Sequence, residues 1–311
     1  MAFNWKTFQT RTLTAIVFAA VMLTGLLWNQ WSFLVLFSVI HFGCWWEYFN
    51  FLEKIHNAIY HRYIRIGFML TGYAIMLLFC SPTYHVNNDQ IYQNFPLPVS
   101  IAGFVMIVLG IFQGKQIKLK TFGTAALGLV YNSLSWALMI SLYLSQIIFE
   151  YSQMRPGANP PMEVYQNISN PWIIPLAIIS SIWINDTMAY IVGSLIGKTQ
   201  LSTISPKKTW EGTIGGIILS TVITGSIFSN ISMDQVINEM FNFSSYHWYV
   251  IALVASVFGT IGDLLESKLK RMAGVKDSGN IMPGHGGFLD RFDSLLLATP
   301  AVWLYAYFLM R

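Results

Sequence analysis

Apolar residues occur along most of the chain in long runs, which short polar segments separate. A helix needs about 20 mainly apolar residues to cross the hydrocarbon core of a bilayer, and nine runs approach that length. The predicted spans are residues 12–28, 31–51, 63–80, 97–113, 124–149, 171–192, 212–229, 247–265 and 294–310. This pattern predicts an all-α polytopic integral membrane protein with about nine transmembrane helices.

The polar connections predict how the spans are joined. Only Asn29 and Gln30 separate the first two runs, so we expect a tight helical hairpin there. The connection over 150–171 is rich in proline and predicts an irregular loop. We expect five spans in residues 1–170 and four in 171–311, within one integrated membrane domain.

Composition supports the membrane assignment. Hydrophobic residues make up 54% of the chain and charged residues 10%, whereas charged residues are roughly a quarter of a soluble domain. A soluble enzyme, a disordered chain and a secreted disulfide scaffold are therefore excluded. Cys44 and Cys80 lie in apolar runs and are interpreted as small buried hydrophobes.

The N-terminal run resembles a signal peptide, because Lys6 and Arg11 precede it. However, no small-x-small cleavage site follows, and Trp31 begins another apolar run almost at once. We therefore expect a retained first span.

The basic residues predict the orientation, because Lys and Arg concentrate in cytoplasmic loops. With a cytoplasmic N-terminus, sixteen of the 18 Lys and Arg residues fall in cytoplasmic segments, and only Arg155 and Arg311 fall outside. The C-terminus is then predicted to lie outside. For the last four spans and their cytoplasmic connections, seven carboxylates are found: Asp186, Glu211, Asp263, Glu266, Asp277, Asp290 and Asp293. Glu47 and Glu53 flank the cytoplasmic end of the second span. We therefore expect chemistry at the inner face of the C-terminal half.

Two of these carboxylates lie within or at the end of predicted spans. A charge at the position of Asp186 costs about 2.5–3.5 kcal/mol on insertion scales, which indicates a partner or a water-filled cavity; a structural hydrogen bond is the alternative. If the eighth helix continues, Asp263, Glu266, Ser267 and Lys270 share one face. An intrahelical Glu266–Lys270 pair is the simpler explanation for those two residues.

Asp290 and Asp293 lie three residues apart just before the ninth span, where helix capping would also explain them. The preceding segment, Pro283-Gly284-His285-Gly286-Gly287, is typical of a backbone that approaches a phosphate, with N–H groups that cradle it. Carboxylates without a Cys cluster favour Mg²⁺ over Zn²⁺. Mixed among them are the basic residues Lys198, Lys207, Lys208, Lys268, Lys270, Arg271, Lys276 and Arg291. The positive-inside rule explains each one singly, but the mixture favours a phosphorylated substrate.

A second glycine-rich stretch precedes the seventh span. Gly193 and Gly197 have G-x-x-x-G spacing, so close helix packing is a fair alternative to ligand binding. Ser205-Pro206 predicts a helix N-cap followed by proline at the first helical position. The stretch is not a Walker A motif, because no strand precedes Lys198 and only one glycine lies close before it.

The segment 267–293, which we call the signature segment, resembles the signature of the phosphatidate cytidylyltransferases (CDP-diacylglycerol synthases). It reads Ser267-x-Leu269-Lys270-Arg271, then Lys276-Asp277, then Pro283-x-His285-Gly286-Gly287-Phe288-x-Asp290-Arg291-Phe292-Asp293. Upstream, the similar positions are Asp186, Ala189-Tyr190, Gly193, Gly197-Lys198, Ser205-Pro206-Lys207-Lys208-Thr209 and Glu211-Gly212. The resemblance covers roughly 183–293, and Met282 stands where Leu, Ile or Phe is expected.

The resemblance implies a reaction of CTP with phosphatidic acid that yields CDP-diacylglycerol and pyrophosphate at the cytoplasmic face of the inner membrane. It implies Mg²⁺ as cofactor, with a second, monovalent cation such as K⁺ by analogy, and a homodimer. The implied metal ligands are Asp263, Asp290, Asp293 and Asp186. The implied catalytic residues are Asp263, Asp290, Lys270, Arg271 and Arg291, and the implied substrate-binding residues are Lys198, Lys207, Lys208, Lys276, His285, Gly286 and Gly287. His285 would donate to a phosphate or fix the turn.

Two alternatives have distinct sequence expectations. The first is another membrane phosphotransferase, such as a polyprenol kinase or a CDP-alcohol phosphotransferase. A CDP-alcohol phosphotransferase would have a denser Asp-rich helix with Asp-Gly and Ala-Arg elements, which are not found in this sequence. An ion-coupled transporter that uses Asp186 and Asp263 is the second. It predicts ligands near the membrane midplane, whereas the charges here gather on one side.

Overall fold

The computed structural model describes residues 5–86, 89–114, 118–143, 171–231, 245–279 and 286–310. The chain forms two compact units. The first comprises Met1–Ile140 and Lys268–Phe292, and the second comprises Ser141–Ser267 and Asp293–Arg311. Most of the signature segment therefore belongs with the N-terminal helices in the first unit. The division into regions 1–170 and 171–311 within one membrane domain stays a prediction.

Within the described residues, the N-terminal part of the chain contains seven α-helices, a π-helical segment and one short hairpin. The helices are α1 (Trp5–Leu27), α2 (Gln30–His56), α3 (Arg62–Leu78), α4 (Ile91–Asn94), α5 (Pro96–Gln113), α6 (Leu119–Gly128) and α7 (Ser135–Leu142). A π-helical segment, Leu129–Leu134, joins α6 to α7. Strands β1 (His85–Val86) and β2 (Asp89–Gln90) pair antiparallel.

Within the described residues, the C-terminal part contains four helices of 21 to 27 residues and a second hairpin. The helices are α8 (Ile173–Ile196), α9 (Trp210–Ile231), α10 (Tyr246–Met272) and α11 (Leu289–Leu309). Strands β3 (Gln200–Ser202) and β4 (Ser205–Thr209) pair antiparallel between α8 and α9. The predicted irregular loop over 150–171 lies outside the described residues apart from its last position.

Seven helical segments of the described chain are long and apolar enough to cross a membrane: Gln30–His56, Ile91–Gln113, Leu119–Leu142, Ile173–Ile196, Trp210–Ile231, Tyr246–Met272 and Leu289–Leu309. Helices α1 and α3 match two more predicted spans, but the apolar part of α1 is only Thr12–Leu27 and α3 has 17 residues. An all-α, multi-pass membrane protein is thus confirmed, while nine spans and their orientation stay a prediction.

The predicted tight turn between the first two helices is present. Asn29 caps α2, because its side chain accepts from the amide of Ser32 at 2.8 Å and its own amide donates to the Ser32 hydroxyl at 3.1 Å. This reciprocal cap satisfies two of the backbone groups that a helix start leaves unpaired. The turn therefore needs no further residues.

Small residues allow close helix contacts in the first unit. A Cβ added to Gly67 of α3 would lie 2.7 Å from the carbonyl oxygen of Gly103 in α5, and one added to Gly110 would lie 2.8 Å from the amide of Ile64. Side chains larger than hydrogen would push these backbones apart, as in other membrane helix pairs. Buried Trp45 of α2 donates from Nε1 to Ser133 of the π segment at 2.8 Å.

Glycines also join α8 to α9 in the second unit. A Cβ on Gly212 would lie 2.7 Å from the carbonyl oxygen of Ala189 and 2.9 Å from Cα of Gly193, and one on Gly216 would lie 2.8 Å from the carbonyl oxygen of Asn185. This geometry supports the helix-packing interpretation of Gly193. Buried Asn185 also donates to Thr260 of α10 at 3.3 Å.

The predicted helix start at Ser205-Pro206 is wrong. Those residues begin strand β4, and α9 starts at Trp210. Thr209 is the functional cap, since its hydroxyl accepts from the amide of Gly212 at 3.1 Å. Pairing of β4 with β3 satisfies the backbone upstream, so the chain enters the helix four residues later than the local pattern indicates.

Candidate active site

The predicted site residues fall into two groups, one in each unit. In the first unit, the Asp290 cluster consists of Glu47, Lys270, Ser278, Gly287 and Asp290. In the second unit, the Asp263 cluster consists of Asp186, Lys208, Asp263, Glu266 and Asp293. The four carboxylates predicted as metal ligands are thus divided, with Asp290 in the first cluster and the other three in the second.

Asp290 has the most complete set of hydrogen-bond donors in the first cluster. Its Oδ2 accepts from the amide of Ser278 at 2.7 Å, from the Ser278 hydroxyl at 2.9 Å and from the amide of Gly287 at 2.9 Å. Its Oδ1 lies 2.8 Å from Nζ of Lys270. Only 9% of the Asp290 side chain is exposed, so these donors replace the water that a carboxylate otherwise requires. The ionised form of Asp290 is therefore held in one orientation.

The two glycines before α11 make room for carboxylates. Gly286 has φ +84°, which favours glycine, and a Cβ there would lie 2.9 Å from Cγ of Asp290. A Cβ on Gly287 would clash with both carboxylate oxygens of Glu47. The Gly287 amide, expected to cradle a phosphate, instead donates to Asp290. A phosphate role for these glycines stays a prediction. The nearby carboxylates of Asp290 and Glu47 already explain why a side chain would not fit at either position.

Glu47 was not predicted to belong to the site. It lies in α2, is 1% exposed, and accepts from the Ser278 hydroxyl at 2.6 Å, from the amide of Phe288 at 2.9 Å and from the amide of Leu289 at 2.8 Å. One sequence signal could have found it: an acid within the aromatic run 45–49 needs a buried partner. Its partners, however, are more than 230 residues away in the sequence.

The Asp263 cluster brings acids together on α8, α10 and α11. Lys208 of β4 forms an ion pair with Asp263, and the hydroxyl of Ser267 donates to Asp263 at 3.3 Å. Asp293 is buried, and its Oδ1 accepts from the amide of Ser294 at 2.6 Å. The negative charges of Asp263, Glu266 and Asp186 act electrostatically on Asp293. Like charges in a low-dielectric site repel strongly, and a proton, the Lys208 ammonium group or a bound cation would each offset them.

The helix backbones explain why these acids are close. A Cβ on Gly262 of α10 would lie 2.6 Å from the carbonyl oxygen of Asp293 and 3.1 Å from Cα of Ser294. Gly262 therefore lets α10 approach α11 beside Asp263. The predicted continuation of α10 past Asp263 is confirmed, because the helix ends only at Met272.

The carboxylate chemistry suits Mg²⁺, which prefers oxygen ligands. Within the described ranges, no group of three or more His, Cys, Asp or Glu side chains is arranged to hold a metal ion. Mg²⁺ commonly takes one or two carboxylates together with substrate phosphates and water, so the residues fit a substrate-completed site.

The hairpin between α8 and α9 presents two of the predicted lysines. Lys207 is exposed, whereas Lys208 is half-buried against Asp263. Glu211 of α9 holds the other end of the connection, because its carboxylate accepts from the amides of Lys198 and Thr199, each at 3.1 Å. The role of Glu211 is thus to fix this loop.

The remaining predicted basic residues are exposed: Lys198, Arg271, Lys276 and Arg291. Exposure is compatible with an anionic ligand that arrives from water. His285 lies outside the described residues.

Comparison with known proteins decides the family. Residues 9–309 match the sequence model of the Cytidylyltransferase family. The chain belongs to this family. Family membership covers both clusters, and it favours the predicted nucleotidyltransferase over a transporter or another class of phosphotransferase.

Relatives agree with this assignment. The phosphatidate cytidylyltransferase of Staphylococcus saprophyticus is 47% identical over 120 residues, which is 38% of this chain and 43% of that protein. That of Staphylococcus haemolyticus has the same identity over 120 residues. The phosphatidate cytidylyltransferase of Synechocystis is 27% identical over 317 residues, with 96% of this chain and 97% of that protein covered. The match thus spans less than half the length of the staphylococcal relatives.

Proposed function

We propose that this chain is a phosphatidate cytidylyltransferase, which transfers the CMP moiety of CTP to phosphatidic acid. The products are CDP-diacylglycerol and pyrophosphate. The observation that carries the proposal is the Asp290 cluster. In it, three separated positions of the signature segment, Lys270, Ser278 and Gly287, converge on the carboxylate of a fourth, Asp290. The names of the relatives supply the substrate class.

The reaction joins two anions. A phosphate oxygen of phosphatidic acid attacks the α-phosphorus of CTP, a new P–O bond forms, and the bond to the β-phosphate breaks to release pyrophosphate. The protein needs no general base, because a phosphate monoester is largely ionised near neutral pH. Its main tasks are to orient the reactants and to offset their negative charge.

Lys270 and Asp290 suit the first of these tasks. The Lys270 side chain is 15% exposed, and its ammonium group is held by Asp290 at 2.8 Å. A lysine oriented in this way contributes a fixed positive charge with little loss of side-chain entropy on binding. We assign Lys270, with exposed Arg271 and Arg291, to the phosphates of the substrates.

The Asp263 cluster suits the metal. When bound there, Mg²⁺ would supply positive charge that offsets the negative charge of the nucleotide phosphates and of the pyrophosphate product. Asp263 and Asp293 are the proposed ligands in this cluster, with Asp186 next. Lys208, which pairs with Asp263 in the structure, would turn to a phosphate oxygen. Asp290 as a ligand and a second, monovalent cation such as K⁺ remain proposals from the family resemblance.

The cytoplasmic face of the inner membrane is the proposed location. CTP is a soluble nucleotide, phosphatidic acid lies in the bilayer, and the positive-inside sorting puts the signature segment on the cytoplasmic side. A homodimer is proposed from the family resemblance alone, and the mass of the detergent-solubilised protein would test it.

The direct test uses two labels. Purified protein in mild detergent is given phosphatidic acid and CTP labelled at either the α- or the γ-phosphate, with Mg²⁺ or with EDTA. We expect the α-label in the lipid and the γ-label in pyrophosphate, both only with Mg²⁺. Entry of the γ-label into the lipid would indicate a kinase, and no lipid product from folded protein would reject the substrate pair. ATP in place of CTP is the matched control.

A further inference from the structure

Glu47 lies outside the signature segment, yet it holds both ends of the signature loop, which we define as residues 278–289. At one end it accepts from the Ser278 hydroxyl at 2.6 Å. At the other it accepts from the amides of Phe288 and Leu289 at 2.9 and 2.8 Å. One carboxylate therefore closes the base of the loop.

The contact at the second end is a helix cap supplied from another helix. The carbonyl of Phe288 accepts from the amides of Arg291 and Phe292, so Phe288 is the N-cap residue of α11. The amides of Phe288 and Leu289 are thus among the donors that a helix start leaves unpaired. Glu47 occupies them and places negative charge at the positive end of the helix.

Two glycines of the signature loop provide the space for its contact with Glu47. Gly279 and Gly287 both lie against the Glu47 carboxylate, where a Cβ would clash with Oε1 in either case. The loop therefore approaches Glu47 through backbone, which only glycine permits at this distance. A role in capping alone would not require glycine on both sides.

Glu47 also reaches Asp290 through a shared residue. The Ser278 hydroxyl lies 2.6 Å from Glu47 and 2.9 Å from Asp290, and it accepts from the Asp290 amide at 3.2 Å. Because a hydroxyl has a single proton, Ser278 donates to one of the two acids at a time, and its orientation therefore depends on both. The orientation of Asp290, and with it Lys270, is thus coupled to Glu47.

We propose that Glu47 is a positioning residue for the cytidylyltransferase reaction, acting through Ser278 and the start of α11 on Asp290. This inference rests on the proposed function for its kinetic consequence. It does not require Glu47 to touch either substrate. Its carboxylate is nearly fully buried and its three bonds go to the loop.

Glu47→Gln tests the proposal with almost no change in volume. The amide can offer one oxygen, so its NH₂ group must face the amide of either Phe288 or Leu289. We expect kcat to fall about 100-fold, the cost of small misplacement at a reacting centre. The KM values for CTP and phosphatidic acid should change less than about threefold, since substrate contacts are retained.

Glu53→Gln is the matched control. Glu53 lies on the same helix, pairs with Arg65 and accepts from the amide of Tyr60 at 2.8 Å, without a hydrogen bond to the loop among those described. We expect its kcat to stay within about threefold of the parent. An equal loss of kcat in both variants would mean general damage to α2 and would overturn the proposal.

Hydrogen exchange at 286–292 gives a readout that needs no turnover. Faster exchange of the Phe288 and Leu289 amides in Glu47→Gln, but not in Glu53→Gln, is expected. Unchanged exchange together with normal kcat would overturn the inference. If the parent protein transfers no CMP, the proposed function fails, and the exchange comparison still decides whether Glu47 positions the loop.

Ser278→Ala covers the case in which Glu47→Gln does not fold. It removes the hydroxyl that links Glu47 to Asp290 but leaves the hydrogen bonds from the two backbone amides to Glu47. We expect kcat to fall about tenfold, as for loss of an outer-shell partner, with normal exchange at Phe288 and Leu289. Full activity in Ser278→Ala would reject the coupling to Asp290.

Discussion

The Asp290 cluster and the Asp263 cluster both contain carboxylates of helices, but the carboxylates of the two clusters have different partners. Asp290 accepts from two backbone amides, a hydroxyl and an ammonium group. In the other cluster, Asp263, Glu266 and Asp186 add negative charge around Asp293. The first is a completed protein network, whereas the second concentrates charge that a cation would offset.

The largest expected effect is that of Asp290→Asn on the completed network. The neutral amide weakens the attraction to Lys270, and its NH₂ group would face a donor. We expect kcat/KM to fall about 1000-fold, the upper range for losing one preorganised electrostatic group. Steady-state turnover in detergent measures it. Asp89→Asn, an exposed acid of β2, is the control, and near-normal turnover in Asp290→Asn would remove Asp290 from the site.

A smaller effect is expected from Asp263→Asn in the crowded cluster. Loss of a metal ligand should raise the Mg²⁺ concentration for half-maximal rate about 10- to 100-fold. A Mg²⁺ titration of initial rates measures the shift. Ser267→Ala keeps the Asp263 charge but removes its hydrogen bond, so its titration should stay near that of the parent. Identical titrations for Asp263→Asn and the parent would mean that the cation binds elsewhere.

Next, Gly287→Ala probes the packing between the loop and Glu47. Its Cβ would clash with the buried carboxylate, so we expect a loss of about 1–3 kcal/mol in the free energy of unfolding. Thermal unfolding in detergent gives the comparison. Gly123→Ala in α6 has open space around the added Cβ and should be neutral or slightly stabilising. Equal stability of the two variants would show that the loop relaxes freely.

The smallest expected effect is that of Arg155→Ala. Its position, predicted to lie outside the membrane, is far from the chemistry in the proposed orientation. We expect kcat to change less than about twofold, as for ordinary surface positions. A large loss in the labelled-CTP assay would contradict the predicted orientation.

Helix positions could be predicted because apolar runs of span length are a local property. The start of α10 was predicted within one residue, and its extension to Met272 agrees with the shared face of Asp263 and Glu266. The prediction that a helix starts at Ser205-Pro206 was wrong, because strand pairing outweighed the local capping pattern. The local pattern contains no information on the partner strand.

The candidate site was predicted only in part, because some of its residues are recognisable from the local sequence and others are defined by distant partners. Asp290 and Lys270 could be proposed from spacing and family resemblance. Glu47 could be suspected as an acid within an apolar run, but its partners Phe288 and Leu289 could not be predicted, because they are 241 and 242 residues away in the sequence. The steric need for Gly287 was likewise hidden, since its cause is a side chain on α2.

The amino-acid sequence alone specifies a helical membrane protein, the family signature and the side on which its charges gather. Those properties depend on neighbouring residues, through hydrophobic length and motif spacing. Only the tertiary structure decides that Glu47 holds the signature loop, that Gly287 gives space to a carboxylate, and that Asp290 and Asp263 belong to different clusters. These features depend on which helices approach each other. The local sequence pattern does not specify hydrogen bonds and steric contacts between residues that are distant in the sequence.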